Sequence, residues 1–278
     1  MRGRKMKDEG TSGQEAPLLI EKHGDVEWVT LNRPGRLNAL DDRLTRELRE
    51  YFEGLYRRRD CRIVVLRGAG RAFCAGLDLA SEQATKFADG ALADAMDVQR
   101  DIRDVMLAMK RCPQPILALM HGAAAGGGFV LGMAADIRIA TPDCRMNAAF
   151  IKVGLGGCDV GASYLLPRLI GASPAASILF TGRDLSADRA YQLGLLSDIA
   201  DHDALEDIAQ SYVDAMAQTA PEALRMTKQC FNFSIDAPSF ESVLAMEDRN
   251  QVLLGNEPAF REGMNAFLEK RSPRFDQD

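Results

Sequence analysis

Two glycine-marked segments carry residues that could do chemistry through bare backbone. One is "RAFCAGLDL", Arg71 to Leu79. The other is "HGAAAGGGFVLGMAADIRIA", His121 to Ala140. Three consecutive glycines, Gly126 to Gly128, are a poor choice for a strand or a helix interior. At a helix start they leave unpaired N–H groups with the positive end of the helix dipole behind them. Without side chains in the way, a carbonyl oxygen can approach those N–H groups, which is half of an oxyanion hole. The first segment offers the other half. Gly76 permits an unusual turn, and the Leu77 N–H could point inward.

Competing readings of the triglycine fail on spacing. A dinucleotide fingerprint wants G-x-G-x-x-G with an acidic residue about 20 positions on. Here the order is G-x-x-x-G-G-G, and "AAD" follows too early. A phosphate-binding P-loop wants G-K-[ST], which is absent. A tight strand-to-helix turn with close packing remains the plain structural reading. Three dispersed histidines do not form a zinc pattern. Ser163 lies in no nucleophile elbow. Asp78 reads as a loop-holding residue, and Asp136 as a residue at a helix-to-strand junction.

The elements that must hold these loops read as follows. "LLIEKHGDVEWVTLNRP" alternates around a turn and predicts a β-hairpin. "LDDRLTRELREYFEGLYRRRD" puts Leu44, Leu48, Phe52 and Leu55 on one helical face, with Asp41 or Asp42 as N-cap. "RIVVLRG", "PILALM" and "DIRIAT" read as strands, and residues 91 to 111 as an amphipathic helix. From about Gly161 the pattern is helical, interrupted by a short strand near "LLSDIA", with breaks at Pro221, Pro238 and Pro258. Strands and helices alternate early and helices dominate late, so the fold class is α/β with a helical C-terminal region.

The 278 residues carry a net charge of −6, with both signs interspersed. That argues against nucleic acid as a partner. Six scattered cysteines without C-x-x-C spacing predict reduced thiols and a cytoplasmic protein. The basic start lacks an apolar stretch behind it and reads as a disordered tail over residues 1–16. No run is long enough for a membrane span.

Taken together, "RAFCAGLDL" and "HGAAAGGGFVLGMAADIRIA" resemble the crotonase superfamily, the enoyl-CoA hydratase/isomerase family. "LNRPGRLNAL", "LPRLIGASPAASILFTGRDLSADRAYQLGLLSDI" and "FREGMNAFLEKR" are similar to other parts of that family, so the resemblance runs over most of the chain. It implies a crotonase-like spiral of ββα units over 17–205. It also implies a C-terminal helical trimerisation region over 206–278, giving a homotrimer or a dimer of trimers. The implied substrate is an acyl-CoA thioester, with coenzyme A as part of the substrate and no separate cofactor or metal. The implied oxyanion donors are the N–H groups of Leu77 and Gly127, flanked by Ala75, Gly76, Asp78, Leu79 and Gly126. For coenzyme A the resemblance points to Arg36, the backbone around Leu37 and Ala39, and Phe267 and Lys270 near the C-terminus.

The reaction is a separate matter. Hydratases of the superfamily carry two glutamates, and the matching residues here are Val130 and Phe150. Some isomerases carry an aspartate base in a segment resembling "VGLGGCDVGASYLLPRL", where Asp159 stands. Asp159 is read either as that base or as a cap for the following helix. Tyr164 either reaches the pocket or is a buried helix aromatic. The expectation is an enzyme that isomerises the double bond of an unsaturated acyl-CoA. A hydratase or hydrolase using another water-activating group, and a non-catalytic acyl-CoA binder, stay open as alternatives.

Overall fold

The computed structural model describes residues 16–275; residues 1–15 of the expected tail lie outside them. A hairpin of β1 (Leu18–His23) and β2 (Val26–Leu31) leads to α1 (Asp42–Leu55) and β3 (Ile63–Gly68). Next come α2 (Glu82–Asp89), α3 (Leu92–Arg111), β4 (Ile116–Met120), β5 (Ala123–Ala125) and α4 (Gly127–Ala134). The chain continues through β6 (Ile137–Ala140), β7 (Arg145–Asn147), α5 (Ala162–Ile170), α6 (Ala172–Thr181), β8 (Leu185–Ser186), α7 (Ala187–Gln192) and β9 (Asp198–Ile199). It closes with α8 (Leu205–Ala217), α9 (Pro221–Ser234), α10 (Phe240–Gly255) and α11 (Pro258–Glu269).

Among the described residues, one sheet runs β1-β2-β3-β4-β6-β9 and a second runs β5-β7-β8. The hairpin pair is antiparallel, and every later pair in the large sheet is parallel. Strands β4 and β6 each sit in the large sheet and are followed at once by a short strand, β5 or β7, in the small one. This is how the chain winds: each turn lays one strand in each sheet before moving on.

Alternation along the strands divides the core between two faces. Val64, Leu66, Ile116, Ala118 and Met120 face one cluster, which takes in Leu44, Leu48, Phe52 and Leu55 of α1 and Val105 and Met109 of α3. Ile63, Val65, Leu117 and Leu119 face the other, covered by Leu205, Ala209 and Val213 of α8. The expected apolar stripe of α1 is fully buried. Its N-cap is Asp41, whose carboxylate accepts the Leu44 N–H at 2.9 Å. Helix α8 belongs to the packing of the sheet as closely as α1 does.

One buried charge pair ties the later helices to the sheet. Lys228 of α9 is 5% exposed. Its Nζ lies 2.8 Å from an Asp136 carboxylate oxygen and donates to the carbonyls of Gln114 (2.8 Å) and Met109 (3.1 Å). The same Asp136 oxygen accepts the Ile116 N–H at the start of β4. Asp136 does stand at the junction of α4 and β6, as its sequence context predicts. Removing the lysine leaves Asp136 only the looser Lys110 ion-pair contact at 3.8 Å, and breaking a buried pair typically costs about 3–5 kcal/mol. Lys228→Met should therefore lower the urea midpoint sharply, by a free energy in that range. A shift equivalent to under about 1 kcal/mol, the span of exposed pairs, would contradict this account.

Candidate active site

The first glycine-marked loop connects β3 to α2. The segment Leu37–Leu40 runs beside it: Ala75 N–H donates to Leu37 O (3.0 Å), Leu40 N–H to Gly76 O (2.7 Å) and Asp78 N–H to Leu40 O (2.8 Å). Peptide groups alternate in direction along an extended chain. The neighbours of Leu77 face Leu40, so the Leu77 N–H faces away from it, and among the described residues it donates to nothing. Gly76 sits at φ 90°, a conformation open to glycine and costly for other residues.

The triglycine sits between β5 and α4. Gly126 N–H donates to Asn147 O at 2.9 Å, and the first intrahelical bond is Val130 N–H to Gly126 O at 3.1 Å. The N–H groups at the very start of a helix have no partner within it. Gly127 is the first residue of α4, and its N–H is one of these orphans.

The two loops meet main chain to main chain. Cys74 N–H donates to Ala123 O and Ala125 N–H to Cys74 O, both at 3.0 Å. A Cβ on Gly128 would stand 2.1 Å from the Cys74 carbonyl oxygen. A Cβ on Gly76 would stand 2.7 Å from Ala125 O and 3.3 Å from the Gly127 nitrogen. The Leu77 and Gly127 donors therefore flank one junction. Burial pushes the neighbouring Cys74 thiol up to about 12, so it is neutral and a poor nucleophile there.

Buried polar bonds hold the first loop. Asp78 accepts the Ala80 N–H (3.1 Å) and Arg33 Nη2 (2.9 Å), as its loop-holding reading predicts. Arg33 also pairs with Asp41 at 2.9 Å and donates to Ala39 O. Asn38 is fully buried. It accepts the Arg33 N–H and donates to the carbonyls of Ala69 and Ala72. Sequence reasoning singled out Arg36 in this motif. The structure leaves Arg36 exposed and gives the wiring to Arg33 and Asn38. Asn38 stands at φ 55°, where Asn is enriched because its short side chain bonds locally. That tendency was the available signal.

Val130 and Phe150 are both buried. The Phe150 ring lies 3.5 Å from where a Gly126 Cβ would be, so it lines the back of the triglycine. Val130 is wholly enclosed in the main core and opens on no surface.

Asp159 is half-buried, between a 3₁₀ turn (Ala149–Val153) and α5. Its Oδ1 accepts the Val160 N–H at 2.8 Å and the Gln99 side-chain amide. Among the described residues nothing donates to Oδ2. The capping alternative is corrected here. The N-cap of α5 is Gly161, with no side-chain cap, and the Ala162 N–H goes to the Asp159 backbone carbonyl (2.7 Å) instead. Gln99, on α3, was not anticipated, because nothing local marks a glutamine on an amphipathic helix.

Tyr164 is not the buried helix aromatic that was one expectation. It is 36% exposed, donates to Asp236 and lies under the Arg168 guanidinium, 3.7 Å from the ring centroid. With Met96, Gln99, Val160 and Ile235 it lines a cavity of about 610 Å³. Leu79, at the end of the first loop, is exposed, and so are Phe267 and Lys270; no described contact joins the last two to the loops. His121 is held below its usual range by burial. Its ring packs on His202, 5.7 Å between centroids, and its Nε2 is 2.9 Å from Gly70 O. Among the described residues no group of three or more His, Cys, Asp or Glu could hold a metal. No described helix is long and apolar enough to cross a membrane.

Residues 21–278 match the family described as "Enoyl-CoA hydratase/isomerase". The chain is 35% identical to the 1,2-epoxyphenylacetyl-CoA isomerase of Escherichia coli (strain K12), covering 93% of this chain and 97% of that one. It is 34% identical to the (E)-benzylidenesuccinyl-CoA hydratase of Thauera aromatica, covering 93% and 98%. The crystal structure of the enoyl-CoA hydratase of Mycobacterium smegmatis matches with a TM-score of 0.87 at 34% identity, covering 94% and 99%. Winding, glycine loops and similarity over nearly the whole length agree: the chain belongs to the enoyl-CoA hydratase/isomerase family and has the crotonase fold.

Proposed function

We propose that this enzyme shifts a double bond in an unsaturated acyl-CoA, using Leu77 and Gly127 to hold the thioester oxygen and Asp159 as the base. The observation that carries this reading is the pairing of two free N–H groups at one junction with an apolar side chain, Phe150, behind the triglycine, while Val130 puts no carboxylate there. The first feature suits an enolate. The second deprives a water molecule of the partners it needs. Similarity to both an isomerase and a hydratase leaves the reaction to the site itself, and keeps hydration as the second reading.

In this mechanism the Asp159 carboxylate removes a proton from C2 or C4. The electron pair moves into the conjugated system and the thioester oxygen becomes an oxyanion. The two N–H donors are fixed before the reaction, so they stabilise that charge without reorganising; each such donor contributes about 3 kcal/mol to the transition state. The protonated Asp159 then returns the proton at the other carbon, and the double bond has moved with no net change in composition.

We also propose that α9 to α11 form a subunit interface, in a trimer or a dimer of trimers. Phe231, Phe240, Phe260, Phe267 and Leu268 are all more than half exposed. Concentrated apolar exposure of this kind marks an interaction surface. Light scattering at micromolar concentration should give an oligomer mass; a monomer would contradict this.

Two kinetic outcomes test the chemistry. Asp159→Asn should reduce isomerisation of a β,γ-unsaturated acyl-CoA by about a hundredfold or more, with acyl-CoA affinity and Tm near wild type. Retained turnover would remove Asp159 from the mechanism. Hydration of crotonyl-CoA should be slower by about the same factor than in a relative carrying both glutamates. Fast hydration would show that the water-activating groups lie elsewhere.

A further inference from the structure

We infer that Gln99 is a positioning residue: with the Val160 N–H it clamps Asp159 Oδ1 and leaves Oδ2 as the oxygen that takes and returns the proton. This rests on the reading of Asp159 as the base.

Both described donors to the carboxylate converge on the same oxygen. A carboxylate can only accept, so the Gln99 amide must present its NH₂ group and not its carbonyl. Two hydrogen bonds on Oδ1 draw electron density toward that oxygen and stop the group from rotating. Oδ2 keeps its lone pairs. The Gln99 amide does not ionise near neutral pH, so it can hold the base but cannot replace it.

The backbone at this point is unusual. Val160 is β-branched and stands at φ 37°, a region such residues rarely adopt. Strained positions of this kind persist only where surrounding structure enforces them, and they cluster at functional sites. Here the strain turns the Val160 N–H onto Oδ1. The clamp also borders open space. Gln99 and Val160 both line the cavity that Tyr164 and Met96 share. The Gln99 donor comes from α3, 60 residues before Asp159. The packing of α3 therefore sets the orientation of the base.

The probe is trans-3-hexenoyl-CoA in D₂O, read by deuterium uptake and by the appearance of the conjugated product. Gln99→Met keeps the length and removes the donor. Its kcat should fall by up to about a hundredfold, the scale of a misplacement of about 1 Å of a reacting group, while KM and Tm hold. Gln99→Glu should be slower still at neutral pH, because the new carboxylate repels Asp159. It should recover as the pH is lowered and the introduced acid gains a proton to donate. A merely structural contact would give neither the kcat-only loss nor that recovery. If both variants match wild type while Asp159→Asn is inactive, the clamp is wrong and the base assignment stands. If Asp159→Asn is active, the base assignment fails and takes the clamp with it.

Discussion

Main chain lies directly against main chain where the two glycine loops meet, and the candidate site depends on that contact. The Cys74 carbonyl occupies the space a side chain at position 128 would need. Ala125 and Ala123 bond to Cys74 from the adjoining strand. Bare backbone at these glycines is what lets two loops 50 residues apart in sequence meet at one junction. The cost is conformational: glycine loses more freedom on folding than any other residue. Burial of β3 and β4 on both faces offsets that cost, since β3 leads into the first loop and β4, through β5, into the second, and neither can shift without disrupting two clusters.

A second layer is polar and lies in front of β3. Arg33 bonds to Asp78, Asp41 and Ala39 at once, so one guanidinium links the loop, the α1 cap and the intervening chain. These groups are largely withdrawn from water, where hydrogen bonds to charge are strong and missing partners are costly. Donors for a developing charge are useful only if they do not move, and this wiring restricts the loop that carries Leu77.

What could be read from the chain alone was local. The hairpin, the α1 stripe, the long helix α3 and both glycine loops follow from alternation, helical spacing or residue type. The short strands β5, β7 and β8 were not anticipated, because two or three residues cannot display a period; helix α2 also escaped. The same limit applies at the site. Gly76 and the triglycine announce themselves by what they lack. Gln99 is an ordinary helix residue until the fold brings it to Asp159. Arg33 and Arg36 are indistinguishable in a basic, proline-containing motif, and only the backbone turn through Leu37 and Asn38 selects between them. Tyr164 looked like core by spacing and proved half-open, since its partners Arg168 and Asp236 come from α5 itself and from beyond α9.

The Lys228–Asp136 pair has a consequence for recombination. Asp136 also receives the first N–H of β4, so the lysine of a late helix is bonded to the strand that leads into the triglycine. A chimera assembled from two homologues must inherit both charges from a compatible pair, or it leaves the Asp136 carboxylate only the looser Lys110 ion-pair contact, 3.8 Å away, behind the triglycine loop. A crossover placed between Asp136 and Lys228 separates them in every progeny chain whose parents solved that junction differently. Exchange of C-terminal helices between such parents is constrained by one buried ion pair inside the fold.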